Sequence, residues 1–186
     1  MLETFVFAGF GGQGVMFAGQ LLAYAAMDAG LEVAWIPSYG PEMRGGTAHC
    51  LTAISDRPIG SPIVQHPKVA VVFNNPSFEK YEPLVAHDGL LVVNVSLVAH
   101  TSKRTDLTEV LVPATQIATQ LGDARVTNMV LLGAALTARP VLPLEALDRA
   151  LEKHIPAHRR GLLDLNREAV RRGAEYGVGI HCLEPA

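Results

Sequence analysis

Gly9, Gly11 and Gly14, in the stretch GFGGQG, stand at G-x-G-x-x-G spacing between an apolar run and an Ala/Leu-rich segment. At such a turn the backbone can approach an anion closely. The helix that follows offers free N–H groups and the positive end of its dipole. Gly12 is a fourth glycine, one more than turning the chain requires. The sparer reading is that the glycines only tighten a strand-to-helix turn. A dinucleotide site is less well matched, because it wants an acid about 20 residues on, at the end of the second strand. That strand ends AWIPSY, and Glu32 stands at its start. Gly11, Gly12, Gln13 and Gly14 therefore point to a phosphate or a carboxylate rather than to a nicotinamide dinucleotide.

The second stretch is PSYGPEMRGGTAHC, residues 37–50. It is longer than the about 4–6 residues of an ordinary connection and richer in special residues. Pro37 and Pro41 fix backbone angles while Gly40, Gly45 and Gly46 permit positive φ, so the loop is shaped. Arg44 supplies a planar fork suited to carboxylate or phosphate. Glu42 is placed to orient Arg44 or to meet a partner, Tyr39 to stack or hydrogen-bond, and Met43 to add an apolar contact. The simpler alternative is an exposed Glu42–Arg44 pair worth ~0–1 kcal/mol.

Other reactive residue types are sparse. The chain has seven histidines, and His154 and His158 have i, i+4 spacing, but Pro156 breaks the helix that would align them. No metal site is expected. The two cysteines, Cys50 and Cys182, form no C-x-x-C pair, which excludes an iron–sulfur cluster or structural zinc built by this chain. His49 and Cys50 fall at the start of a strand, where a half-buried structural role is expected. Asn74 and Asn75 follow a strand end, as ligand contacts or as simple turn formers. No G-x-S-x-G elbow occurs.

The elements that must position these residues follow from periodicity. TFVFAGF (4–10), KVAVVFN (68–74) and GLLVVNVS (89–96) are nearly continuous apolar runs, the pattern of strands buried on both faces. LEVAWIP and TAHCLTAIS are further strands, too close together for a helical crossover, so that pair is expected to be antiparallel. A helix is expected over VMFAGQLLAYAAMDAG, stopped at Gly30, and a short one from Pro76 to near Pro83. EVLVPATQIATQLG reads as a strand and a helix, and Asn128 as the N-cap of MVLLGAALTA. PLEALDRALEKHI is another short helix. A last amphipathic helix begins near His158, with Leu162, Leu165, Ala169 and Tyr176 on one face. Its Arg160, Arg167 and Arg171 form a solvated face or meet an acidic partner. The alternation predicts a three-layer Rossmann-like α/β fold, mostly parallel with some antiparallel pairing. Residues 1–186 are expected to form one domain.

With 186 residues and 49% hydrophobic content, a full core is available. A net charge of −3 argues against nucleic-acid binding. The start, MLETFVFAGFGGQG, has an acid where a basic signal region would stand, and no apolar segment reaches the ~20 residues of a membrane span. A cytoplasmic protein is expected, in keeping with sparse cysteine.

Taken together, GFGGQGV and PSYGPEMRGGTAHC resemble the gamma subunit of 2-oxoacid:ferredoxin oxidoreductases, most of all the 2-oxoglutarate branch. The resemblance continues through ISDRPIGSPIV, NNPSFEKY, GLLVVNVSLV and TNMVLLGA, covering roughly residues 4–140. It implies a subunit of an enzyme that oxidatively decarboxylates a 2-oxoacid with coenzyme A, giving acyl-CoA, carbon dioxide and reduced ferredoxin. Thiamine diphosphate and iron–sulfur clusters would belong to alpha, beta and ferredoxin-like partner subunits, and this chain would be inactive alone. Coenzyme A would be the co-substrate that it helps to bind. Two alternatives stay open: a purely architectural subunit, and a stand-alone nucleotide-binding oxidoreductase.

Overall fold

The apolar run that opens the sequence forms the central strand β1, Leu2–Phe10. Its alternate residues enter two different cores, Phe5 and Phe7 on one side of the sheet and Val6 and Ala8 on the other. That is why the run lacks a polar face. Burying each such large side chain is worth about 1.5–3 kcal/mol. A computed structural model describes residues 1–39, 47–61, 63–155 and 157–178, with the backbone alone at Tyr39, His158 and Arg159.

After β1 come α1 (Val15–Asp28), β2 (Glu32–Tyr39), β3 (Thr47–Ser55), β4 (Val69–Val72) and α2 (Asn75–Tyr81). Then follow β5 (Gly89–Asn94), β6 (Leu107–Val112), α3 (Ala114–Gln120), α4 (Thr127–Ala138), α5 (Leu144–His154) and α6 (Leu163–Gly177). The sheet order is β2-β3-β1-β4-β5-β6. β1, β4, β5 and β6 run parallel, whereas β3 is antiparallel to both β1 and β2. Helices cover both faces. Residues of α1, α3, α4 and α5 join Phe5 and Phe7 in the larger core, and Phe78 and Tyr81 of α2 close the smaller one. The mixed, mostly parallel α/β sheet is the one expected.

The boundaries shift in instructive ways. Pro37 lies inside β2 opposite Cys50, not in the bend, since β2 is an edge strand and has no partner needing the missing N–H. The connector between β2 and β3 therefore spans only 40–46. The final helix does not start at His158. A 3₁₀ turn, Ala157–Leu162, comes first. The inward face of α6 is made of Asn166, Ala169, Val170, Gly173, Ala174 and Gly177. Tyr176, expected inside, is exposed, because the close approach to α4 admits only small residues. A Cβ on Gly173 would strike the carbonyl of Val130, and one on Gly133 the carbonyl of Val170. Arg167 is not simply solvated either. It pairs with Asp148 and Glu152 of α5.

α4 is apolar all round and is held at both ends. Arg139, just past its C-terminus, donates from Nε to Glu3 Oε2 at 3.0 Å at the start of β1. Asn128, in its first turn, reaches the other end of the same strand's connection.

Candidate functional site

The C-terminal end of β1 leads into the turn of residues 11–14, where Gly12 has φ 99° and Gly14 φ 75°. L side chains rarely occupy these angles, so glycine is needed at both. Gly14 caps α1 with no side-chain hydrogen bond, and no acid stands in the first helical turn. The first-turn N–H groups therefore have no intrahelical partner.

Two side chains lock the turn. Gln13 folds back so that its Oε1 accepts from Phe10 N at 2.6 Å and from Asn74 Nδ2 at 3.1 Å. Asn128 Nδ2 donates to the carbonyl oxygen of Gly14 at 3.1 Å. Asn74 at the same time caps α2, its Oδ1 accepting from Ser77 N at 3.1 Å. Asn75 Oδ1 accepts from Ala99 N at 3.0 Å. Asn74 thus caps α2, and Asn75 ties the start of that helix to the backbone at Ala99.

A cavity of about 690 Å³ opens over the turn. Gly11, Gly12 and Gly14 form part of its wall, with Phe17, Arg125, Asn128, Leu162 and Asn166 among the other lining residues. Of the four expected loop residues, three face the cavity. Gln13 does not, because its amide is used inside the turn. Phe10 pairs with Thr47, and Tyr39 with Ala48, so both ends of the 40–46 connector leave the sheet beside the glycine turn. Glu42, Met43 and Arg44 lie outside the described residues, as does the side chain of Tyr39.

Sequence reasoning missed Asn128 and Arg125 as wall residues. Asn128 is not an N-cap, since α4 starts at Thr127 with Val126 at the capping position. Its signal was a lone amide in front of a wholly apolar helix, a group that must find a partner when buried. Arg125 sits in the 3₁₀ turn Ala124–Val126 and is gripped by Asp123, Nε to Oδ2 at 2.9 Å and Nη2 to Oδ2 at 2.6 Å. The Arg125 guanidinium, and then its backbone N–H, hold the Asp123 carboxyl below the usual carboxylate range. The D-x-R spacing in GDARVTN was the only trace of it in sequence.

The remaining reactive groups are structural in their surroundings. Cys50 is fully buried against Gly19 of α1, and burial pushes its thiol up to about 11. His49 faces the opposite side of the sheet, 5.8 Å from the Tyr81 ring, and burial, then Lys80, lowers its pKa. His154 bonds Asp28 at 2.8 Å and stacks on Tyr24. Among the described residues, no group of three or more His, Cys, Asp or Glu is placed to hold a metal ion. No described helix is long and apolar enough to cross a membrane.

A glycine turn at the carboxyl end of a central strand, next to a strand-order reversal, makes this a doubly wound α/β protein with the turn at the place where such sheets take their ligands. The comparisons narrow this. Residues 4–176 match the family described as pyruvate ferredoxin/flavodoxin oxidoreductase, and the chain belongs to that family. It is 36% identical to ketoisovalerate oxidoreductase subunit VorA of Methanothermobacter marburgensis, over 91% of this chain and 35% of that protein. It thus spans about a third of that relative's length. It is 33% identical to 2-oxoglutarate synthase subunit KorC of Methanocaldococcus jannaschii, over 90% of both chains. The crystal structure of a keto/oxoacid ferredoxin oxidoreductase gamma subunit from Geobacter sulfurreducens superposes with a TM-score of 0.85 at 27% identity, covering 97% of this chain and 98% of that one.

Proposed function

We propose that this chain is the gamma component of a 2-oxoacid:ferredoxin oxidoreductase and forms the coenzyme A side of its site. The observation that carries the reading is the cavity over the glycine turn, which the N-terminus of α1 and Arg125 both line. An anionic ligand meets both through charge-assisted hydrogen bonds, worth ~1.5–3 kcal/mol each. Gly11, Gly12 and Gly14 contribute backbone to that contact, and Gln13 holds their turn in shape. Arg44 joins from the 40–46 connector, whose ends flank the turn, while Tyr39, Glu42 and Met43 serve partner contact.

In the reaction, the 2-oxoacid loses carbon dioxide, its acyl group passes to the coenzyme A sulfur, and an electron pair leaves to ferredoxin. Thiamine diphosphate and the iron–sulfur clusters are assigned to alpha, beta and ferredoxin-like partners. The 2-oxoacid is proposed to be 2-oxoglutarate from the wording of residues 37–46, and a panel of 2-oxoacids tests that choice. Residues 1–186 are proposed to act as one domain in the cytoplasm.

Titrating coenzyme A against wild-type and Arg44→Ala complexes, with assembly followed by gel filtration, tests the reading. The expected result is a KM for coenzyme A raised about tenfold or more, equivalent to about 1.4 kcal/mol, with intact assembly. Normal coenzyme A kinetics with weakened assembly would show a purely architectural role instead.

A further inference from the structure

We propose that Arg125 reads a second anionic group on the ligand, the 3′-phosphate of coenzyme A, and so separates it from dephospho-coenzyme A. The inference rests on the coenzyme A reading of the same cavity.

Three observations carry it. First, the cavity has two cationic features, not one. The glycine turn and the α1 N-terminus supply backbone donors, and Arg125 supplies a full charge from a different element. Backbone N–H groups at a turn hold one anion and have no reach beyond it.

Second, Arg125 is held in one geometry by Asp123. A guanidinium has five N–H donors. Asp123 takes the Nε hydrogen and one on Nη2. This leaves the outer edge, both Nη1 hydrogens and the second of Nη2, for another acceptor. The side chain is 75% exposed, so that edge is open to a ligand. Its backbone is fixed three residues before Asn128, which is itself tied to the glycine turn. An arginine held this way gives up less freedom on binding a phosphate than a loose one.

Third, the same cavity also has apolar lining, Met16, Phe17 and Leu162 among it. An adenine ring suits such a surface. A ligand with an anion at the turn, a flat apolar ring and a second anion at Arg125 has the chemistry of a 3′-phosphorylated adenosine diphosphate.

The test is equilibrium titration of the assembled complex with coenzyme A and with dephospho-coenzyme A, in wild type, Arg125→Ala and Arg125→Lys. Arg125→Ala should weaken coenzyme A by about tenfold or more and dephospho-coenzyme A by less than about twofold, since only the former has the 3′-phosphate. Arg125→Lys, which keeps the charge without the fork, should fall between. Unchanged melting temperatures would show that the loss is not one of folding, as expected for so exposed a side chain. Equal weakening of both ligands would overturn the proposal by placing Arg125 on the shared diphosphate. No effect on either would overturn it too. A wild-type complex that binds neither ligand removes the coenzyme A reading itself, a result separable from failure of the Arg125 assignment alone.

Discussion

Asn128 Nδ2 donates to the carbonyl oxygen of Gly14 at 3.1 Å, joining the first turn of α4 to the glycine turn across 114 residues of sequence. The same carbonyl accepts from Ala18 N at 3.1 Å within α1. One side chain therefore sets the position of the α1 N-terminus relative to α4, and both border the cavity. Asn128→Ala should cost about 0.5–1.5 kcal/mol through loss of this hydrogen bond, the Gly14 carbonyl keeping Ala18 N as its other partner. For a chain of this size each kcal/mol lowers the melting temperature by roughly 2–4 °C. The KM for coenzyme A should rise as well, because the turn loses its brace. A thermal melt within a degree of wild type would contradict the bracing role.

Gly12 and Gly14 differ in what surrounds them, although both have positive φ. A Cβ at Gly14 would lie 2.5 Å from Asn128 Nδ2, whereas one at Gly12 meets nothing within 4 Å. Gly14→Ala should therefore lose the backbone cost of about 1–2 kcal/mol and displace Asn128 in addition. Gly12→Ala should lose the backbone cost alone. Gly12→Val projects its side chain away from packed protein, so its effect on coenzyme A binding should exceed its effect on stability. Urea unfolding of both alanine variants, with ligand titration of the valine variant, measures each part. Equal stability losses at the two positions would refute the distinction.

The contrast between these glycines shows what the sequence carried. Spacing alone placed the turn after β1 and before α1, because local residue types decide a strand-to-helix turn. The antiparallel β2–β3 pair was legible for a similar reason, the shortness of the connector. Asn128 and Arg125 were not legible as wall residues. They come from a segment more than a hundred residues downstream, and their place depends on how α4 packs. Tyr176 was misplaced because periodicity marks an apolar face but does not measure how close the neighbouring helix comes. The glycines at 133, 173 and 177 set that distance. A stripe of small residues carries no hydropathy signal of its own.

That close crossing gives a sharp stability prediction. A Cβ at Gly173 would overlap the Val130 carbonyl, and backbone cannot move aside as a flexible side chain can. Gly173→Ala should destabilise by about 1–3 kcal/mol through overpacking, even though alanine is the better helix former by about 1 kcal/mol. Gly161→Ala, in the 3₁₀ turn before α6 and with nothing within 4 Å of the added Cβ, serves as a control without overlap. Chemical denaturation of the two variants separates packing from propensity. A Gly173→Ala variant as stable as wild type would mean that α6 does not cross α4 this closely.

Glu3 closes the opposite end of α4 from Asn128, and its ionisation makes the contact pH-dependent. Its Oε1 accepts from Lys68 Nζ at 3.0 Å, and its Oε2 from Arg139 Nε at 3.0 Å. Burial raises its pKa, but the bonds and charges of Arg139 and Lys68 outweigh that and bring it below the ordinary 4.5. A carboxylate with a depressed folded pKa stabilises fully above its unfolded value, and that contribution fades as pH falls through the folded one. Wild type should therefore exceed Glu3→Gln in stability by about 1–2 kcal/mol at pH 7, a figure reduced for the partial exposure of both cationic partners. The gap should narrow once the pH drops below about 4, where the unfolded chain also protonates this side chain. Urea midpoints for the pair, taken from pH 7 down to pH 3, trace the narrowing. A gap that stayed constant over that range would show that Glu3 acts through shape and not through charge.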